Sequence, residues 1–386
     1  MESKKLKVVN IIPTYNEKEN IGKMIEALQT VARKNPQYDF YHLIADDNSP
    51  DGTAEIVRKY MKKSSRIKLI EGKKVGLGEA LIRSYKFAED KMSADIIIPN
   101  DCDFSFDPNK IPDLLKKINE GYDVVVASRH VGGGGTEGWS LFRKLNHLVA
   151  NELFAWYIAG IKQVHDHNGN FKAIRVKGVL DKIPLYKLRV KGFGFQCFII
   201  YQLSKVTDKF FEIPVIFKFR TAGETKVSFN KRYLKTYLRD VLEYMWLCIN
   251  VRIEKSMRFF KVAVVGGVGA ILQFIIFNIL RLTIQPEIAT ALAVEAAIVS
   301  NFIINNLWSF KDKKIQFKGI NILLKFIQFN FLSLGSLIIQ VVVMKIGILL
   351  FGRSFIVENF LVMLGILLGL FWNYFAYSRF VWKTKK

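Results

Sequence analysis

Cysteine is scarce in this sequence: three residues in 386, Cys102, Cys197 and Cys248, with no CxxC pair. That excludes an evident zinc site and gives no sign of a disulfide framework. Acidic residues are also few, 34 against 57 lysines and arginines, which leaves a formal net charge of +23. Such a surplus points to anionic partners: nucleic acid, an acidic membrane surface or phosphorylated substrates. No recognisable nucleic-acid-binding motif is present, so nucleic acid is not expected. A secretory leader pattern is missing too. The apolar run at residues 6–12 returns to polar character within a few positions and reads as a first β-strand. The soluble part is therefore expected to stay in the cytoplasm.

Apolar residues make up 50% of the chain, yet mean hydropathy is only +0.16. The average hides a split. Up to about residue 255 charged and apolar residues mix as in a soluble domain, and from residue 259 long apolar stretches are broken by short basic knots. In the first part, strand signals at residues 6–12, 41–45, 67–71 and 95–99 alternate with helical patterns at 18–33, 53–62 and 78–90. This alternation predicts an α/β, Rossmann-like domain with a mainly parallel sheet. Ligands of such sheets sit at the carboxyl ends of the strands. Those ends carry Pro13-Thr14-Tyr15-Asn16-Glu17, the Asp46-Asp47 turn, residues 72–78, and Asp101-Cys102-Asp103. They are expected to converge on one crevice.

Tyr233, Tyr237, Val241, Tyr244, Met245 and Ile249 recur at helical spacing, interleaved with Lys231, Arg232, Lys235 and Arg239. Residues 230–257 thus read as amphipathic, interfacial helix, or as an ordinary surface helix packed on the first domain. Four later stretches, 259–280, 288–310, 324–351 and 356–381, are each long enough to cross ~30 Å of hydrocarbon. Basic residues gather before the first, between the second and third, and after the fourth (Lys383, Lys385, Lys386), which predicts both termini on the cytoplasmic side. Residues 301–311 (NFIINNLWSFK) can be laid over residues 373–383 (NYFAYSRFVWK), so two similar helix pairs are expected.

The strongest chemical feature is Asp101-Cys102-Asp103. Two carboxylates flanking one residue after a buried strand can share a hard divalent cation, Mg2+ or Mn2+, that also neutralises a diphosphate. The alternative is a pair of turn or N-cap carboxylates ahead of a helix near Pro108. Gly76-Leu77-Gly78 follows Lys73 and Lys74 and can offer backbone N–H groups to phosphates, or be a plain βα turn. Residues 132–135, four glycines, read as a mobile loop near an acceptor site or as a linker. His165-Asp166-His167 offers two histidines on one strand face but no third metal ligand, and reads more simply as a turn or strand edge.

Taken in order, these clusters resemble the dolichol-phosphate mannose synthase branch of family-two GT-A glycosyltransferases. The matching pieces are PTYNEKEN (13–20), DDNSPDGT (46–53), DCDFS (101–105), SRHVGGGG (128–135), Trp139, Arg143, Ala150-Asn151, KGFGFQ (191–196) and RTAGETK (220–226). Residues 258–386 look like a GtrA-type domain of four transmembrane helices, through Arg258-Phe259, Gly266 and the two asparagine-aromatic exits. The implied division is a catalytic domain over 1–229, interfacial helices over 230–257 and the membrane domain over 258–386.

The resemblance implies inverting transfer of a sugar, mannose from GDP-mannose, to a polyprenyl or dolichyl phosphate at the cytoplasmic membrane face. Pro13, Tyr15, Glu17, Asp46, Asp47, Gly76 and the Asp101-Cys102-Asp103 segment would hold the nucleotide-sugar. Asp101, Asp103 and Ser105 would take the metal, and Arg129, Arg143, Arg220 and Lys226 the lipid phosphate, with Asp101, Asp103 and Arg129 catalytic. The family often has glutamine where this chain has Ser105. It usually has a Ser/Thr-Gly-Phe element where this chain has Asn168-Gly169-Asn170-Phe171, and a small hydroxyl residue at His147. An aspartate commonly precedes the RxxGE[ST]K arginine, where Lys218 and Phe219 stand here. These departures bear on sugar and acceptor more than on reaction class. A UDP-sugar-dependent synthase of polyprenyl-phosphate glucose or aminosugar is the nearest alternative. A non-enzymatic lipid-sugar flippase or scaffold is the second. A processive polysaccharide synthase is disfavoured, because no QxxRW element follows the DxD.

Overall fold

The computed structural model describes residues 5–187, 190, 192, 194–218, 231–280, 282–316, 319–352 and 354–382. The chain divides into two compact units, Met1–Arg252 and Ile253–Lys386.

In the first unit β1 (Lys7–Thr14), α1 (Lys18–Lys34), β2 (Asp39–Asp46), α2 (Thr53–Met61), β3 (Ile67–Glu71), α3 (Leu77–Asp90) and β4 (Ile96–Pro99) alternate as the sequence pattern predicts. There follow α4 (Ile111–Asn119), β5 (Val124–Ser128), β6 (Gly135–Thr136), α5 (Leu141–Leu148) and a π-helix (Val149–Ile158). β7 (Lys172–Arg175), α6 (Phe195–Ser204), β8 (Phe210–Pro214) and β9 (Ile216–Phe217) complete it. The main sheet has the order β3-β2-β1-β4-β7-β5-β8. Every pairing in it is parallel except those of β7, which runs antiparallel to β4 and β5.

Physical reasons for these elements are visible in the side chains. Along β1, Val8 and Ile12 enter the core on one face of the sheet and Val9 and Ile11 the core on the other, as a period of two requires for a strand covered on both sides. On α1, Ile21, Met24, Ile25, Leu28 and Val31 recur at helical spacing and are all buried. Each such side chain withdrawn from water contributes roughly 1.5–3 kcal/mol. Leu28→Ala, at a fully buried position, would cost about 2–5 kcal/mol.

The strand order reverses at β1: the chain runs outward through β2 and β3, then returns to place β4 on the other side. That reversal opens a crevice at the carboxyl ends of β1, β2 and β4, where sheets of this kind bind ligands. Each of the three loops there bears a non-glycine residue in the left-handed region: Asn16 (φ 58°), Asn48 (φ 53°) and Phe104 (φ 59°). Asparagine tolerates this conformation. For Phe104 it costs of order 1–3 kcal/mol, and it turns the chain so that the Ser105 N–H donates to the Asp103 carboxylate at 3.0 Å.

α7 (Lys231–Leu280) contains the boundary between the units. Its earlier part, where interfacial helix is expected, buries Tyr244, Cys248 and Val251 in the first unit's core. Leu238, Leu242, Trp246 and Ile249 on the same stretch remain 44–67% exposed. The helix is thus packed on one side and apolar on another.

The second unit is helical, with α8 (Pro286–Ile304), α9 (Ile320–Phe351) and α10 (Phe355–Ala376). Tyr237–Leu280 and Ile320–Phe351 are each long and apolar enough to cross a membrane. α9 and α10 approach closely through small residues. A Cβ on Gly335 would lie 2.2 Å from Trp372 Nε1, and the indole there donates to the Leu332 carbonyl at 2.9 Å. Small residues at the contact are how apolar helices pack when lipid removes the hydrophobic drive between them. The internal repeat has a structural counterpart. π-helices at Asn305–Ser309 and Tyr377–Val381 both begin four residues after the asparagine of their repeat, Asn301 and Asn373.

Candidate active site

At the end of β2, Asp46 is fully buried and accepts from Thr14 Oγ1 (2.9 Å), Ser49 N (2.7 Å) and Ser49 Oγ (2.6 Å). Its carboxylate ties β1 to the DDNSPDGT turn. Asp51 serves the same turn, accepting from the N–H groups of Lys18 and Thr53 and from Thr53 Oγ1, and these bonds hold its pKa below the ordinary carboxylate value despite the opposing pull of burial. Asp47 pairs with Arg83 of α3 at 2.8 Å. Glu17 opens α1, its N–H donating to Thr53 Oγ1 at 3.0 Å. Lys74 lies 3.4 Å from the centre of the Tyr15 ring, a cation–π contact. Gly76 starts α3 at φ 148°, a backbone open only to glycine. The structure thus gathers Pro13, Tyr15, Glu17, Asp46, Asp47 and Gly76 around the carboxyl ends of β1, β2 and β3.

Directly after β4 the DxD segment alternates. Cys102 points into the core and is 3% exposed, so its side chain packs. Asp101 is half-buried and accepts from Asn170 Nδ2 at 3.0 Å, while Asp103 accepts from the Ser105 N–H. Ser105 is itself buried. Burial and the neighbouring Asp103 charge push the Asp101 carboxyl up to about 6. A neighbouring carboxylate charge in a desolvated setting raises the cost of ionising Asp101 unless a cation is present. Hard oxygen donors of this sort suit Mg2+ or Mn2+.

On the far side of β7 the electrostatics reverse. Asp166 is fully buried and receives Arg129 through its N–H (3.0 Å), Nε (2.7 Å) and Nη2 (2.6 Å), and the Gly169 N–H at 3.1 Å. Burial pulls its pKa upward, but the Arg129 charge and hydrogen bonds outweigh burial and hold it well below the ordinary range. The Arg129 guanidinium also lies 5.5 Å from the Trp139 ring, and that of Arg143 4.3 Å from the same ring. Arg129 and Arg143 are therefore brought together around one indole. Arg220 and Lys226 fall outside the described residues.

His165-Asp166-His167 holds no metal pair. His165 Nδ1 meets Glu212 at 2.9 Å, and His167 Nε2 donates to the Ile161 carbonyl at 2.9 Å. A different trio, His130, His147 and Asp166, brings its ligand atoms within 4.8 Å of one another. Hydrogen bonding argues against an ion there. Asn151 Oδ1 accepts from the His167 N–H at 2.8 Å, which fixes its amide, so its Nδ2 donates to His147 Nδ1 at 3.1 Å. His147 then carries its proton on Nε2 and donates to His130 Nε2 at 3.0 Å. Asp166 is already engaged by Arg129. Burial, followed by the Arg129 charge, pushes the His147 pKa down to about 3 and keeps the ring neutral.

Sequence reasoning missed the segment that joins the two sides. Asn170 binds Asp101, and the Gly169 N–H binds Asp166, so residues 166–170 bridge the DxD pair to Arg129. Lys172 Nζ, fully buried, donates to the Gly169 carbonyl (2.7 Å) and to Gln196 Oε1 (2.5 Å). Burial pushes that ammonium down to about 7. The available signal was the unusual NGNF string and the lysine that follows it at the start of a short strand.

Residues 10–176 match the model of glycosyl transferase family 2, and residues 261–382 that of the GtrA/DPMS transmembrane domain. A dolichol-phosphate mannosyltransferase from Pyrococcus furiosus is 29% identical over 98% of this chain and 100% of its own length. An undecaprenyl-phosphate mannosyltransferase from Micrococcus luteus is 30% identical over 58% of this chain and 88% of its own. Among solved structures, mannosyl-3-phosphoglycerate synthase from Rubrobacter xylanophilus aligns with a TM-score of 0.47 at 18% identity, covering 66% of this chain and 75% of that one. The chain belongs to glycosyl transferase family 2, as a membrane glycosyltransferase of the dolichol-phosphate mannose synthase type whose catalytic domain is joined to a GtrA/DPMS transmembrane domain.

Proposed function

We propose that this enzyme transfers mannose from GDP-mannose to a polyprenyl or dolichyl phosphate, with inversion at the anomeric carbon. The carrying observation is the bridge of residues 166–170, which links a carboxylate pair suited to a metal-bound diphosphate with an arginine pair suited to a second phosphate. Relatives named as mannosyltransferases of polyprenyl phosphates support the choice of sugar and acceptor.

Asp101 and Asp103, with Ser105 behind them, would hold Mg2+ or Mn2+, which supplies charge neutralisation for the departing nucleoside diphosphate. Tyr15, Glu17, Asp47 and Gly76 would seat the nucleotide, and Asp46 would act through the turn it ties together. The acceptor needs no general base. A phosphate monoester loses its second proton at a pKa of ~6 and is already mostly a dianion near neutrality. Arg143, with Arg129 locked beside it, would orient that dianion, and Arg220 and Lys226 would add to the positive field. Guanidinium forks match phosphate oxygens. Catalysis is then positioning together with charge stabilisation.

The membrane arrangement follows from the same reading: four spans over residues 259–280, 288–310, 324–351 and 356–381, with both termini and the catalytic unit cytoplasmic. Basic residues between the second and third stretches support it. The deciding experiment incubates the purified full chain with a polyprenyl phosphate and radiolabelled GDP-mannose or UDP-glucose in parallel. Label from GDP-mannose should enter the lipid phase. Label entering from UDP-glucose instead would overturn the choice of donor, and no transfer from either would overturn the reaction.

A further inference from the structure

Three side chains outside the DxD pair form a chain of hydrogen bonds that ends on it. Lys172 Nζ donates to Gln196 Oε1 at 2.5 Å, Gln196 Nε2 donates to Asn170 Oδ1 at 2.8 Å, and Asn170 Nδ2 donates to Asp101 Oδ1 at 3.0 Å. Lys172, Gln196 and Asn170 are each at most 3% exposed.

The direction of this chain is not arbitrary. An ammonium can only donate and a carboxylate can only accept. With those two ends fixed, each amide has one orientation that satisfies its neighbours. Reversing either amide would set oxygen against oxygen or nitrogen against nitrogen. Secondary structure anchors two of its members further: Lys172 opens β7 and binds the Gly169 carbonyl, and Gln196 sits in the first turn of α6. Bonds polarised in one sense reinforce one another in a desolvated setting. The Asp101 side chain is thereby held by one oxygen.

We propose that Asn170, braced by Gln196 and Lys172, is a positioning residue that fixes the Asp101 carboxylate for divalent-cation binding. The idea rests on the reading of Asp101 as a metal ligand. Asn170 fixes Oδ1 by one hydrogen bond, and the carboxylate's other lone pairs would still be able to take the cation. A ligand carboxylate pinned in this way loses less freedom when the ion arrives, and outer partners of metal ligands commonly govern affinity. Asn170 also stands in the NGNF string that departs from the family pattern, so the brace is built from this chain's own residues.

The test is Mn2+ binding to the purified full chain with GDP present, followed by electron paramagnetic resonance, together with the Mn2+ dependence of transfer. Asn170→Ala should weaken Mn2+ binding ~10-fold or more. It should also raise the Mn2+ concentration for half-maximal rate, with kcat at saturating Mn2+ much less affected. Asp101→Asn is the control for the underlying reading. If it keeps wild-type Mn2+ affinity, the metal assignment fails whatever Asn170 does. If it loses Mn2+ while Asn170→Ala binds as wild type, the positioning role is overturned and the metal site stands. A lowered melting temperature in Asn170→Ala with unchanged Mn2+ affinity also overturns it. Should Asn170→Ala fail to fold, Gln196→Ala removes the brace alone and carries the same test: weaker Mn2+ binding supports the role, and unchanged binding contradicts it.

Discussion

On one side of β7, Asp101 shares a desolvated site with Asp103, and its pKa rises to about 6. On the other side, Asp166 is more deeply buried, yet its pKa falls, because Arg129 meets it with a two-pronged ion pair and a backbone N–H. Burial alone therefore does not decide the state of a carboxylate; the countercharge does. Asp166 carries its own cation and serves as a clamp. Asp101 feels the Asp103 charge more strongly than the Asn170 hydrogen bond or the Lys172 and Arg129 charges that oppose it, which is the balance expected of a carboxylate suited to a cation. One side closes its own ion pair beside Arg143, and the other is suited to a cation.

Substitutions should break this contrast in opposite ways. The largest effect on folding is expected for Asp166→Asn, which leaves the Arg129 guanidinium buried without its partner. Breaking such a pair costs about 3–5 kcal/mol, visible as a lower midpoint in denaturant or thermal unfolding. Replacing both partners with apolar residues, Arg129→Met with Asp166→Leu, should be less destabilising than Asp166→Asn alone. A double variant as unstable as the single one would show that the pair is not the clamp. Asp101→Asn should do the reverse. Transfer is expected to fall by about 10²–10³-fold with no loss of thermal stability in metal-free protein, since the change removes a repelled charge.

A smaller, pH-dependent difference sharpens the same point. Burial, and then the charge of Arg66, lowers the pKa of His42 to about 4. Between pH ~6.5 and 4 an unfolded chain protonates this imidazole while the folded one does not, so His42 costs stability as pH falls. Asp101 acts in the opposite sense in the absence of metal. Its folded carboxyl gains a proton from about pH 6 downward, whereas the unfolded one waits until about 3.8, so its contribution grows as pH falls. Thermal melts of metal-free protein from pH 7 to 4.5 should therefore lose less on acidification in His42→Asn than in wild type. They should lose more in Asp101→Asn. Superimposable pH profiles for all three would contradict both assignments.

The two sides also differed in how far the amino-acid sequence revealed them. The crevice loops after β1, β2 and β4 were legible, because each polar cluster follows a β-branched run inside a strand-helix alternation. Their convergence follows from parallel pairing, such as Thr14 opposite Asp46. The bridge at 166–170 was not legible. β7 is four residues long and takes its place through antiparallel pairing with β4 and β5, contacts far apart in sequence. Lys172 looks like a solvated strand charge until Gln196, 24 positions away, supplies its partner. His165-Asp166-His167 invited attention to its histidines, while the central aspartate does the binding. In the second unit the asparagine-aromatic repeat was visible, but that both copies carry a π-helix in the same register depends on backbone packing.

The central claim is that Asp101 and Asp103 work through a divalent cation while Arg129 and Asp166 do not. Mannosyl transfer from GDP-mannose to a polyprenyl phosphate, measured in EDTA and after adding back Mg2+ or Mn2+, tests it most directly. Transfer should stop in EDTA and return with either ion, with the melting temperature in EDTA held by the Arg129–Asp166 clamp. Full-rate transfer in EDTA would contradict the claim.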